Sequence, residues 1–238
     1  MTDSLAQHAA DLFQISLTPA QLTQFAVYAR ELVAWNEKIN LTAITSPEGI
    51  EVRHFLDSLS VVRGARPKAG SRVIDVGTGA GFPGLPLKIA FPDIELTLLE
   101  ATCKKLTFLD EVAKAMGLTG VRTLHARAEE AGHMSHQRAH YDLVLARSVA
   151  RLPVLLEYLL PLCKVGGRCI AMKGETAAAE VADSKKALSV LGGVVAGIES
   201  VMLPGIPEPH LLVLIDKVAG TPSSYPRKPG LPSQKPLV

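Results

Sequence analysis

The sequence is short of several things, and each shortage removes a class of protein. Only three cysteines occur in 238 residues, Cys103, Cys163 and Cys169, and no two form a C-x-x-C pair. That argues against a structural zinc site. With Cys163 and Cys169 in apolar stretches, the pattern predicts buried free thiols in a reducing compartment. Long apolar runs are also missing. The most apolar stretch, Leu152 to Cys163, is broken by Pro153, Glu157 and Pro161 and falls short of the roughly 18 apolar residues of a spanning helix. The opening MTDSLAQHAADLF has no basic run ahead of an apolar segment, so neither a secretory nor a transit signal is read in it. A dominant charge is lacking too: 25 Lys and Arg face 23 Asp and Glu, a formal net charge of +2. So small a total says little about nucleic acid, because a local patch decides binding. The expectation is a cytoplasmic protein with no membrane segment.

What is present is a large core and a clear periodicity. At 47% hydrophobic, the chain has enough apolar mass for one large domain, with or without a small appendage. Thr18 precedes Pro19 as an N-cap precedes a first helical position, and Leu22, Phe25, Ala26, Ala29, Leu32 and Val33 follow at helical spacing. A second helical segment, EVRHFLDSLSVV, follows Pro47. The pattern then changes. RVIDVG, IELTLLE, VRTLHAR, YDLVLAR and GRCIAMKG are short apolar runs that alternate with helical stretches at 85–90, 104–116, 153–163 and 176–191. Such alternation predicts crossover units and a mostly parallel sheet covered on both faces. VVAGIESVML and HLLVLIDK are joined by LPGIPEP, too short for a crossover helix, so the last two strands are expected antiparallel. The domain reading is a helical cap over 1–66, a Rossmann-like α/β domain over 67–218 with seven strands, and a basic, proline-rich segment over 219–238. Composition alone makes that last segment a disordered tail.

The segment Asp75-Val76-Gly77-Thr78-Gly79-Ala80-Gly81-Phe82-Pro83-Gly84 sits where a strand ends and a helix begins. Glycines there permit positive φ and close approach of a ligand, so a nucleotide-like group belongs at this turn. A dinucleotide register starting at Gly79 would force the strand through Gly77 and Thr78, which is poor strand sequence. The register starting at Gly77 is better, and Asp75 at the strand end suits the amino-acid part of S-adenosylmethionine more than a pyrophosphate. Glu100 ends the second strand, where a carboxylate accepts ribose hydroxyls of either cofactor. Past the third strand, Glu129 reads either as an adenine-pocket carboxylate or as a solvated loop acid.

Several polar groups remain. Arg147 and Arg151 in ARSVAR can clamp phosphate or stack on a base, or simply pair with carboxylates at the surface. Lys173 follows the fifth strand, close to the ligand crevice, and with Arg147, Arg151, Arg227 and Lys228 it would form a basic, RNA-binding rim. His54 and Asp57 are three apart and share a helix face, a spacing most common in a hydrogen-bonded pair. His133, His136 and His140 mimic metal-ligand spacing, but without a carboxylate on the same face the segment reads as a solvated loop, and no metal is expected.

The motifs taken together resemble one family. DVGTGAGFPGLPLKIAFPDIELTLLE, the upstream NLTAIT and VRHFLDSL, ARSVARL, GRCIAMKG and the terminal YPRKPGLPSQKPL occur in order over Asn40 to Leu237. They resemble the RsmG (GidB) methyltransferases, which methylate N7 of a guanosine in a conserved hairpin of 16S ribosomal RNA. The resemblance implies S-adenosylmethionine contacts at Gly77, Phe82, Glu100, Ala128, Glu129 and Arg147, with Asp75, Thr78 and Gly79 completing the loop. It implies RNA-facing roles for His54 and Asp57 and an ordered, RNA-facing terminal segment. The partner is 16S RNA or the assembling small subunit, and the chain is expected to act as a monomer. Guanine N7 carries an exposed lone pair, so no general base is required, and Arg147 is expected to position rather than to exchange protons. The competing readings are an NAD-dependent oxidoreductase, for which no hydride-transfer partner is found, and a non-catalytic RNA-binding protein.

Overall fold

Strand, helix and turn alternate as the periodicity predicts. The structure is a computed structural model describing residues 2–238. Seven strands form one sheet: β1 (Arg72–Val76), β2 (Glu95–Glu100), β3 (Val121–His125), β4 (Tyr141–Arg147), β5 (Cys163–Lys173), β6 (Gly193–Val201) and β7 (His210–Lys217). Their order is β3-β2-β1-β4-β5-β7-β6. The pairs from β3 to β5 are parallel, and β7 runs antiparallel to both β5 and β6. The chain order reverses between β1 and β4, and a crevice opens at such a switch point beyond the carboxyl ends of the strands.

Side chains of the central strands alternate between two cores, as a sheet buried on both faces requires. Val73, Leu143, Leu145, Ile170 and Met172 face one core, together with Phe25, Tyr28, Leu32 and Phe55 of the N-terminal helices. Ile74, Val144, Ala146, Cys169 and Ala171 face the other, with Leu155, Leu159, Ala187 and Leu237. Helices at Thr2–Phe13 and Pro19–Asn36 therefore pack on the sheet's own core. The second begins at Thr18, whose side chain and Gln21 form a reciprocal capping box, and Gln21 Nε2 also donates to Ile89 O at 2.7 Å.

Three elements depart from the sequence expectation. Glu51–Leu56 is a π-helical turn between short α-helical and 3-10 pieces, not a plain α-helix. Cys163 begins β5 rather than ending a helix, which closes at Leu159; an apolar run does not distinguish the two. The stretch read as one helix over 176–191 is two, Ala177–Ala182 and Lys185–Leu191. Between them Ser184 Oγ donates to Glu180 O at 2.6 Å, a back-bond of the kind that bends helices. Among the described residues, no helix is long and apolar enough to cross a membrane.

Candidate active site

Two cavities open at the carboxyl ends of β1 and β4 and meet at Gly77, which lines both. The smaller, about 180 Å³, is walled by Val76, Leu99, Ala126, Ala128 and Val149 with the carboxylates of Glu100 and Glu129. The larger, about 640 Å³, is lined by Thr78, Gly79, Phe82, His54, Asp57, Arg147, Lys173 and His210 among others. Apolar walls and two acceptors suit a flat heterocycle with its ribose, and the polar chamber suits an amino-acid part and a second substrate.

The glycine loop is shaped by close contacts. Gly77 has φ +67°, and a Cβ there would lie 2.8 Å from Val149 Cγ2, so only glycine keeps this junction open. Gly79 N donates to Glu100 Oε2 at 3.1 Å, and Thr102 N to Glu100 Oε1 at 2.9 Å. Each oxygen keeps a lone pair for a ligand. Asp75 is fully buried: Oδ2 accepts from Thr78 Oγ1 at 2.6 Å and Gly84 N at 2.9 Å, while Oδ1 is buried without a hydrogen-bond partner. Burial pushes its carboxyl up to about 6, against the opposing hydrogen bonds of Thr78 and Gly84. It lines neither cavity. Its hydrogen bonds from Thr78 and Gly84 shape the loop from beneath, the loop-orienting part of what the sequence suggested for Asp75.

The N-terminal helices clamp that loop from outside. Tyr28 OH donates to Ala80 O at 2.5 Å, and its ring stacks on Phe82 with centroids 5.3 Å apart. Phe82 is stacked on its other partner, His54, at 4.5 Å. Arg147 completes the group, its guanidinium carbon 4.9 Å from the Phe82 centroid. Nη1 of Arg147 donates to Asp57 Oδ2 at 2.8 Å and to Arg53 O at 3.0 Å, and Nη2 lies 3.3 Å from His54 Nδ1. His210 Nδ1 binds the other Asp57 oxygen at 2.6 Å. The hydrogen bond to Asp57 raises the His210 pKa. Burial, then the Arg147 charge, lower His54 to about 4, so its ring is neutral near pH 7. The π-helical turn carries His54, and Asp57 opens the short α-helical piece that follows it; instead of bonding each other they converge on Arg147.

The predicted basic rim is not assembled. Lys173 Nζ is 2.8 Å from Glu180 Oε2 with both side chains largely buried. Arg227 forms an ion pair at 2.7 Å with Glu157, whose side chain is fully buried. Arg151 is outside the cavities and pairs with Asp183 at 2.9 Å; Lys228 is exposed. Lys173, Arg151 and Arg227 thus each meet a carboxylate, the alternative that the sequence left open for Arg151. The histidine segment is a run of turns with His133 and His136 exposed, anchored by the buried Gln137 and by His133 Nε2, which meets Pro226 O at 2.6 Å. Sequence reasoning missed Tyr28, Thr42, Lys105, Glu180 and His210. Thr42 Oγ1 is 2.8 Å from His54 Nε2, and Lys105 lies 4.0 Å from Glu100; neither belongs to a spacing pattern that marks it.

Comparison with known proteins agrees with the geometry. The family model described as GidB, rRNA small subunit methyltransferase G, matches residues 21–211. A Desulfitobacterium hafniense protein named ribosomal RNA small subunit methyltransferase G is 49% identical over 94% of this chain and 92% of its own. A protein of the same name from Alkaliphilus metalliredigens is 48% identical over 91% of each. Among solved structures, Thermus thermophilus TrmN superposes with a TM-score of 0.51 at 24% identity, covering 68% of this chain and about half (48%) of its own, a likeness of fold. With a family match across most of its length and relatives this similar end to end, the chain belongs to the GidB family of rRNA small subunit methyltransferases G.

Proposed function

We propose that this chain transfers a methyl group from S-adenosylmethionine to N7 of a guanosine in a hairpin of 16S ribosomal RNA, free or in the assembling small subunit. The observation that carries the reading is the pair of cavities joined at Gly77. The smaller one fits the adenosine part, with Glu100 facing the ribose and Ala128 and Glu129 at the base. The loop residues Gly77, Thr78 and Gly79 border the larger chamber, where the amino-acid part and the guanosine meet. When bound, the cofactor supplies an electrophilic methyl group on a sulfonium.

The larger chamber suits attack by a lone pair that needs no deprotonation. Its acids are engaged, Asp57 by Arg147 and His210 and Glu180 by Lys173, Thr176 Oγ1 and Leu152 N. His54 is neutral and stacked. What remains is orientation, worth roughly 7–11 kcal/mol in favourable cases, and Arg147 is the positioning residue. His54 and Asp57 hold Arg147 in place and face the RNA side of the chamber. In this reading the helices before residue 67 are a cap that clamps the loop. In the same reading the enzyme acts as a monomer in the cytoplasm.

The test is transfer of labelled methyl to undermethylated small-subunit RNA, naked and in particles, with strand cleavage at N7-methylguanosine to map the product. A single mapped guanosine in a small-subunit hairpin is expected. Methyl transfer to another base or atom would refute the N7 assignment.

A further inference from the structure

Residues 219–238 read, by composition, as a basic tail. Their contacts run inward. Arg138 donates to the carbonyls of Gly132, Tyr225, Thr221 and Pro222 at 2.7 to 3.0 Å. Pro226 fills the space beside Gly132, where a Cβ would meet its Cγ at 2.5 Å. Arg227 gives its backbone N–H and its guanidinium to Glu157, at 2.6 to 3.1 Å. With the segment so fixed, Gly230 N donates to Glu129 Oε1 at 3.0 Å, and Ser233 Oγ lies 3.2 Å from Tyr158 OH. Glu129 and Tyr158 both line the smaller cavity. Gly230 has φ +83°, a conformation that glycine adopts without strain and that other residues rarely reach.

We propose that residues 225–237 buttress the smaller cavity from behind its lining residues Glu129 and Tyr158, and that the Gly230 N–H is the group that orients the Glu129 carboxylate toward the cofactor. The tail then sets cofactor affinity, not RNA affinity. This rests on the reading of that cavity as the adenosine site. A carboxylate held through one oxygen presents the other as a fixed acceptor, which matches a ligand edge that offers an N–H donor. Without the Gly230 contact, Glu129 must be ordered when the ligand arrives, and the cavity loses the buttress beneath Tyr158.

The experiment is calorimetric titration with S-adenosylhomocysteine, with no RNA present, on the full chain and on a chain ending at Ser224. Circular dichroism follows folding. The shortened chain is expected to bind about tenfold more weakly or worse, the worth of one charge-assisted contact. Equal affinity in a folded shortened chain overturns the proposal. Should the shortened chain fail to fold, hydrogen exchange on the intact protein decides: S-adenosylhomocysteine is expected to slow exchange over 225–234, and exchange indifferent to the ligand overturns the proposal. Failure of the full chain to bind S-adenosylhomocysteine at all would instead refute the adenosine reading of the cavity.

Discussion

Asp57→Asn is the substitution that probes the centre of the site. Asp57 is 3% exposed and accepts from Arg147 at 2.8 Å and from His210 at 2.6 Å. Asparagine keeps the shape but has one acceptor, so its amide nitrogen must face one of the two donors. Each hydrogen bond to a charged group is worth about 1.5–3 kcal/mol. One is lost and the other weakened, which gives a stability loss of about 3 kcal/mol, at the lower end of the ~3–5 kcal/mol for removing one partner of a buried pair. The loss depends on pH in a defined sense. The hydrogen bond to Asp57 raises the His210 pKa, so its stabilisation is complete below the unfolded value of about 6.5 and fades as pH rises through the folded value. The cost of Asp57→Asn is therefore larger near about pH 6 than near about pH 9. Turnover should fall, because Arg147 keeps only its contacts with Arg53 O, His54 and Phe82. Cofactor affinity should fall less than turnover, since Asp57 lines the chamber for the amino-acid part but lies outside the smaller cavity. Urea unfolding at both pH values, with single-turnover methylation and cofactor titration, gives all four quantities. A stability loss below about 1 kcal/mol with wild-type turnover would refute the view that Asp57 holds Arg147 in its working position.

Three further outcomes are expected. Gly77→Ala puts a Cβ 2.8 Å from Val149 at φ +67°, which costs about 1–2 kcal/mol of stability and weakens cofactor binding far more than it shifts the melting temperature, as calorimetry of both will show. Tyr28→Phe removes the buried bond to Ala80 O, a loss of about 1–2 kcal/mol by urea unfolding, and loosens the loop enough to weaken the cofactor without touching it. Asp75, raised to about 6 by burial, carries stability that is present below its unfolded value and lost as pH rises through about 6. Going from about pH 5 to about pH 7.5 should cost the wild type about 1.4 kcal/mol more than Asp75→Asn; parallel unfolding curves for the two would contradict this.

The glycine loop and the strand order could be read in the sequence because both rest on local signals. Gly77 and Gly79 do adopt positive φ, and alternation of strand with helix leaves few topologies. The side-chain partnerships could not be read. Arg147 meets Asp57 across 90 positions of chain and Arg227 meets Glu157 across 70, so a count of cations near strand ends predicted a basic rim whose members are largely neutralised. The spacing of His54 and Asp57 suggested a mutual bond on an α-helix. With His54 in a π-helical turn, a form frequent at functional sites, and Asp57 just past it, both instead reach Arg147. The histidine spacing over 133–140 hid the residue that matters there, Arg138, because three of its four carbonyl partners, all but Gly132, exist only once the terminal segment has returned.

That neutralisation has a chemical logic. In the proposed reaction, methylation at N7 moves a positive charge from the sulfonium to the guanine ring, so the charge within the chamber is conserved and only its location changes. An unpaired carboxylate beside the methyl group would bind the cationic cofactor in the ground state and hold the cationic product afterwards, and neither effect lowers the barrier. Pairing Asp57 with Arg147 and Glu180 with Lys173 removes both penalties while leaving rigid, oriented groups in the wall. A neutral His54 stacked on Phe82 extends the same surface without a charge. The chamber thus spends its polar groups on holding one another, which is what a reaction limited by alignment, with no proton to remove, requires of its walls.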